Sequence, residues 1–168
     1  MKPPAVAPMV RLPALLPALA VLLAAGAAPA QGLTVSVDAD LEFGRIAASA
    51  DLPARVALDT DGLRTTDYGT LMTGGVVQPA RFIARGDAGQ IFQASVTAGP
   101  SGVSGIGLEG VTATCGPGSS FSSGLLSGCR LDGAGQATIL VGATLVVDAG
   151  RGTTSLNASS AITVQVTY

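Results

Sequence analysis

The residues that could do chemistry in this chain are few, and their types exclude most schemes before any fold is considered. There is no histidine, and the only lysine, Lys2, sits in a leader-like segment at the start. A serine or cysteine nucleophile needs a neighbouring base, usually histidine or sometimes lysine, so residues 31–168 lack the base for acyl transfer. A zinc hydrolase would lack its common nitrogen ligands. A carboxylate pair of the glycosidase kind remains, since Asp38 and Asp40 would share one face of a strand about 7 Å apart. That face reads more simply as the solvated one. Asp59-Thr60-Asp61-Gly62, with Asp67 beyond, alternates carboxylates as a calcium loop does, but the twelfth position counted from Asp59 is Thr70 and not a bidentate glutamate. An Asp-Gly turn between strands accounts for the same residues. No catalytic residue, metal site or cofactor is expected.

Cys115 and Cys129 are the only cysteines. Two cysteines without histidine make a poor metal site, and their spacing is far wider than that of a redox pair. In an oxidising compartment the even count predicts a structural disulfide, whose loop of about 15 residues would contribute roughly 3 kcal/mol in the chain-entropy picture. Export to such a compartment is itself predicted. In residues 1–30 the only charges are Lys2 and Arg11, an apolar run spans Leu12 to Ala25, and Ala28-Pro29-Ala30 forms a small-x-small cleavage pattern. Pro13 and Pro17 interrupt the run, which favours a cleaved secretory signal over a retained anchor.

Residues 31–168 then form the mature chain, with seven basic against eleven acidic residues, a net charge of −4. That length fits one domain with a real core. The acidic balance and scattered arginines argue against a nucleic-acid partner, which needs clustered positive charge. No second apolar stretch is long enough to cross a membrane as a helix. The expected location is the periplasm, the cell surface or the extracellular space.

The elements that must position all this are strands. Ile162, Val164, Val166 and Tyr168 alternate with Thr163, Gln165 and Thr167, the period-two pattern of a half-buried strand. Leu33, Val35 and Val37 alternate with Thr34, Ser36 and Asp38 at the other end, running on towards Leu41 and Phe43. Further strands are predicted near 54–60, 69–77, 80–85, 90–97, 103–113 and 136–147, the last bent or broken at Gly142. Asp61-Gly62 marks a turn, and Gly86-Asp87-Ala88-Gly89 reads as a hairpin connection. Arg81, Ile83 and Arg85 should share a face opposite Phe82 and Ala84, where the charges would discourage edge-to-edge aggregation. The glycine- and serine-rich stretch 98–135 is the loosest part. One all-β sandwich over residues 31–168 is the economical architecture. A chain that begins and ends in apolar-faced strands either closes its own sheet or pairs with a neighbour.

The order of short motifs is also familiar. Leu41-Glu42-Phe43-Gly44 precedes the Asp-Gly turn and Arg64; Gly74-Gly75, Gln78-Pro79-Ala80-Arg81-Phe82 and Gly86 follow, then Phe92 and Val96. Val141-Gly142-Ala143-Thr144-Leu145 and Ile162 to Tyr168 complete the series. This succession resembles an exported bacterial family designated domain-of-unknown-function family 4402, which is similar in outline to spore-coat-U and fimbrial-subunit sandwiches. The resemblance implies an immunoglobulin-like, pilin-like β-sandwich open to completion by strand donation. It also implies a non-enzymatic structural or adhesive role in a pilus or surface coat. On that pattern Leu33, Val35 and Val37 are the candidate donor side chains. Ile162, Val164, Val166 and Tyr168 form the candidate strand bordering the groove and meeting a chaperone. Implied partners are further copies of the chain, or a periplasmic chaperone and an outer-membrane usher.

Two other classes compete. A self-contained binding module for carbohydrate or protein would use loop 98–135 as its contact surface, with Phe121 as its one aromatic. An outer-membrane β-barrel would fit the terminal aromatic strand, but six aromatics in residues 31–168 are too few for two interfacial girdles.

Overall fold

A computed structural model of the chain describes residues 32–68, 70–71, 74–157 and 161–168. The secretory leader read over residues 1–30 lies outside the described residues. Among the described residues fourteen strands follow one another: β1 (Thr34–Ala39), β2 (Glu42–Ala47), β3 (Ala54–Leu58), β4 (Arg64–Tyr68), β5 (Thr70–Leu71), β6 (Val77–Gln78), β7 (Ala80–Arg85), β8 (Ile91–Ala98), β9 (Ile106–Thr114), β10 (Ser120–Ser122), β11 (Leu125–Arg130), β12 (Gln136–Val147), β13 (Thr153–Asn157) and β14 (Ile162–Thr167). All pairings are antiparallel. The chain is an all-β sandwich, as its alternation predicts.

A six-stranded sheet contains β1, β7, β12, β3, β4 and β9. A four-stranded sheet runs in the order β10-β11-β8-β14, and a smaller sheet centres on β2, flanked by β13 on one edge and β5 and β6 on the other. Their inward faces obey the period of two: Ala80, Phe82 and Ala84 on β7, Phe92, Ala94 and Val96 on β8, and Ala137, Ile139, Val141, Ala143, Leu145 and Val147 on β12. With Leu41, Phe43, Ile46, Val56, Leu58 and Leu126 they form one apolar core shared by all three sheets.

β12 organises the large sheet. Along one edge it pairs with β7 over Gln136–Val141, then with β3 over Ala143–Val147; its opposite edge takes β9. The change of partner falls at Gly142, where the register with β9 also shifts. A Cβ there would collide with the Leu58 carbonyl oxygen and approach the Asp59 carbonyl carbon and Thr112 Oγ1 to 2.9 Å. The bend expected at Gly142 is thus a junction of three strands, passable only without a side chain.

Cys115, one residue past β9, is bonded to Cys129 on β11, with the two Cα atoms 5.5 Å apart. The disulfide therefore ties the large sheet to the four-stranded sheet. Asp59 serves the β3–β4 turn, its Oδ1 accepting the amides of Asp61 at 2.9 Å and Leu63 at 2.8 Å. Arg81, Ile83 and Arg85 do lie on one face; Arg81 is ion-paired with Asp38 on β1, and Arg85 Nη1 donates to Ser36 Oγ at 3.2 Å.

Two expectations change, and one strand is added. The strand predicted near 33–41 forms as β1, and a further strand, β2, carries Phe43 into the small sheet. Gly86 to Gly89 is not a hairpin. β7 has both edges taken by β1 and β12, and β8 is bordered by β11 and β14, so the segment arches between two sheets. The stretch 98–135 is not a loose loop, since β9, β10 and β11 occupy nearly half of it.

Gly142→Ala should destabilise the fold by about 1–3 kcal/mol through overpacking against backbone. Gly107→Ala, on β9 where a Cβ would meet nothing within 4 Å, should be close to neutral. Chemical denaturation midpoints of the two variants check the contrast.

Candidate functional site

Among the described residues β1 and β14 are the first and last strands, and each is an edge: β1 pairs only with β7, and β14 only with β8. Although they belong to different sheets, they lie side by side on one flank of the sandwich. Val35 stands opposite Ala84 and Val37 opposite Phe82, while Val164 stands opposite Val96 and Val166 opposite Ala94. Directly opposed residues point to the same side of a sheet, and all four partners are buried, so these valines face the interior too. They are not buried to match. Leu33, Val35, Val164 and Val166 are only partly buried against the core, and Val37 is 55% exposed. Ile162, at the start of β14, is the exception at 6% exposed. Inward-facing apolar side chains that stay wet mark a seam between two sheets that no strand closes.

Tyr168 covers one end of this seam. Its hydroxyl accepts the Asp87 amide at 3.4 Å and lies over Gly86. A Cβ on Gly86 would collide with that hydroxyl and come within 3.0 Å of Leu131 Cδ1 and 3.2 Å of Leu33 Cδ1. The bare Gly86 lets the last residue of the chain, the start of β1 and the β11–β12 connection converge.

The backbone of β14 divides its groups between two directions. The Gly99 amide donates to the Ala161 carbonyl at 2.6 Å, and the Val96 amide turns the other way, to Gly124 on the β11 side, at 2.8 Å. Hydrogen-bonded pairs alternate along an antiparallel ladder. Thr163, Gln165 and Thr167 therefore bond to β8, opposite Thr97, Ser95 and Gln93. The amides and carbonyls of Ile162, Val164 and Val166 point out of the sheet edge, and no strand among the described residues pairs with them.

The seam thus gathers most of the residues singled out from sequence: Leu33, Val35 and Val37 on one bank, Val164, Val166 and Tyr168 on the other. Within a single chain Leu33, Val35 and Val37 lie on or beside a strand already paired with its own β7, so donation would require β1 to leave that position. Residues with chemical potential lie elsewhere and are engaged: Asp38 with Arg81, Asp59 in its turn, Cys115 with Cys129. An open depression of about 600 Å³ lies against the single segment from Ala98 to Leu108, a stretch without charge or aromatic rings. Sequence reasoning missed Gly86, whose neighbours Asp87-Ala88-Gly89 imitate a hairpin turn. It also could not tell which amides of β14 face outward, because that depends on which partner β8 presents.

A family model described as Domain of unknown function (DUF4402) matches residues 33–168, from the first residue of the seam to the last. Comparison with curated proteins and with solved structures returned no match.

Gly86→Ala should push Tyr168 off its seat. Tyr68 and Tyr168 are the only tyrosines and there is no tryptophan, so a Tyr68→Phe background isolates the Tyr168 signal. Near-ultraviolet circular dichroism of Tyr168 should lose intensity in Gly86→Ala, with about 1–3 kcal/mol of stability. Gly99→Ala, where a Cβ has ordinary contacts, should leave the signal unchanged.

Proposed function

We propose a structural role on the premise that the chain belongs to the DUF4402 family: an exported, non-enzymatic subunit of a surface or pilus-like assembly, joined to its neighbours through its terminal strands. The observation that carries this reading is the seam itself. Its apolar side chains face the core yet remain partly exposed, and the adjoining edge of β14 offers unpaired backbone groups. Backbone polar groups and apolar side chains at such an edge are both satisfied when a strand from another chain is added.

Several features support the reading. Residues 1–30 have the pattern of a secretory signal, and the Cys115–Cys129 bond suits an oxidising compartment. The mode of assembly proposed is that of fimbrial subunits, with a chaperone to hold β14 before subunits meet. A catalytic role has little to work with, because Asp38 and Asp59 are engaged in an ion pair and a turn.

Protein recovered after export should run as a ladder on an unheated denaturing gel and collapse to one band on boiling. A single monomer band without heating, with a monomer mass by light scattering, would contradict the assembly role.

A further inference from the structure

Edge strands in folded proteins carry devices that stop them pairing with other chains: charges, prolines, bulges or very short length. Here nearly every edge carries one. β1 has a register shift between Val37 and Ala39 and the charge of Asp38. β4 carries Arg64 and Asp67 and a register irregularity against β3. β9 carries Glu109, ion-paired with Arg55, and shifts register against β12. β10 has three residues, β5 and β6 have two each, and β13 shifts register between Ser155 and Asn157. β14 stands apart among the described residues. It keeps unbroken register with β8 from Ile162 to Thr167 and contains no charge, no proline and no glycine.

The sheet behind β14 shares its scarcity of charge, although β11 shifts register against β8 between Leu126 and Cys129. Of the seven basic and eleven acidic residues in 31–168, only Arg130 falls on β8, β10, β11 or β14. The exposed outer positions beside the edge are Gln93, Ser95 and Thr97 on β8 and Thr163, Gln165 and Thr167 on β14. The large sheet, by contrast, displays Asp38, Arg55, Arg81, Arg85 and Glu109.

We infer that β14 pairs antiparallel with β14 of a second copy, about a two-fold axis at Gln165, joining two four-stranded sheets into one. This inference rests on the assembly reading above and names its edge and its partner. The register follows from the alternation. With Gln165 opposite its own counterpart, Val164 meets Val166 on the inward face, and Thr163 meets Thr167 on the outward one. Apolar opposes apolar, uncharged polar opposes uncharged polar, and no like charges meet. The outward-pointing amides and carbonyls of Val164 and Val166 then bond across the interface, and Gln165 forms a non-hydrogen-bonded pair. An isologous contact of this kind closes as a dimer, so the longer species of a ladder need a second contact through another surface. The partner's Val164 and Val166 would extend the apolar cover of the seam beside Val35 and Val37.

The geometry gives a direct test. Opposed Cα atoms in a non-hydrogen-bonded antiparallel pair lie about 4.5 Å apart, within disulfide range. Both native cysteines are already bonded, so in Gln165→Cys the new thiol is the free one among the described residues. Full-chain Gln165→Cys should form a reducible dimer under mild oxidation, and Ser122→Cys, on the far strand of the same sheet, should not. Val166→Pro removes only an outward amide, so the β14–β8 ladder persists while self-association weakens by about tenfold or more. If the wild-type chain is oligomeric by light scattering but Gln165→Cys fails to bridge, the β14 pairing is overturned and the assembly reading survives. If the wild-type chain is monomeric at all concentrations, both fall.

Discussion

Every strand has two edges of backbone donors and acceptors, and the fold depends on how β12 meets that requirement with three partners. Its twelve residues are longer than either β7 or β3 alone can cover, so one edge changes partner midway while β9 runs along the other. Only a glycine at position 142 allows the Leu58 carbonyl and Thr112 to close in on the strand at the change-over. With that junction made, β7 and β3 follow one another along one edge of β12, β1 extends the sheet beyond β7, and β4 extends it beyond β3. The disulfide after β9 then fixes the four-stranded sheet over the large one, and β14 is left as the last strand of that layer.

The sandwich manages its exposed edges unevenly, and that unevenness carries the functional reading. Charges and register shifts are concentrated on the large sheet, whose ion pairs Arg55–Glu109 and Arg81–Asp38 are half exposed and individually worth little to stability. Their value lies in interrupting edges that would otherwise recruit other chains. In the four-stranded sheet the register shift and the single charge, Arg130, lie on β11, away from the β14 edge. A regular, uncharged edge beside partly buried valines makes sense for a chain that works in company, and it is a hazard for one that works alone.

Strand alternation made β7, β8, β12 and β14 legible in the sequence, because each turns one apolar face to the core. Strands without a strong apolar face were not legible. β4 is almost wholly exposed with Arg64 and Asp67 among its residues, and β10 and β11 mix serine and glycine with a few apolar residues, of which only Leu126 and Cys129 are fully buried. Local turn chemistry misled at Gly86–Gly89, where the same residues that close hairpins carry the chain from one sheet to another. The cysteine pair was readable from compartment logic, but its bridging of two sheets needed the fold. For the candidate site, the two terminal strands were identified from their alternation and from a family resemblance. Their meeting on one seam, with the outward direction of the Ile162, Val164 and Val166 amides, follows from pairings that no local pattern encodes.

Amide hydrogen exchange across residues 162–167, compared at low and high protein concentration, tests the central claim most directly. The amides of Thr163, Gln165 and Thr167 bond to β8 and should be protected at both concentrations. Those of Val164 and Val166 should exchange fast in the dilute chain and become protected as the chain assembles. Fast exchange of both at every concentration, beside steady protection of their odd-numbered neighbours, would show that β14 remains an unpartnered edge and would contradict the account.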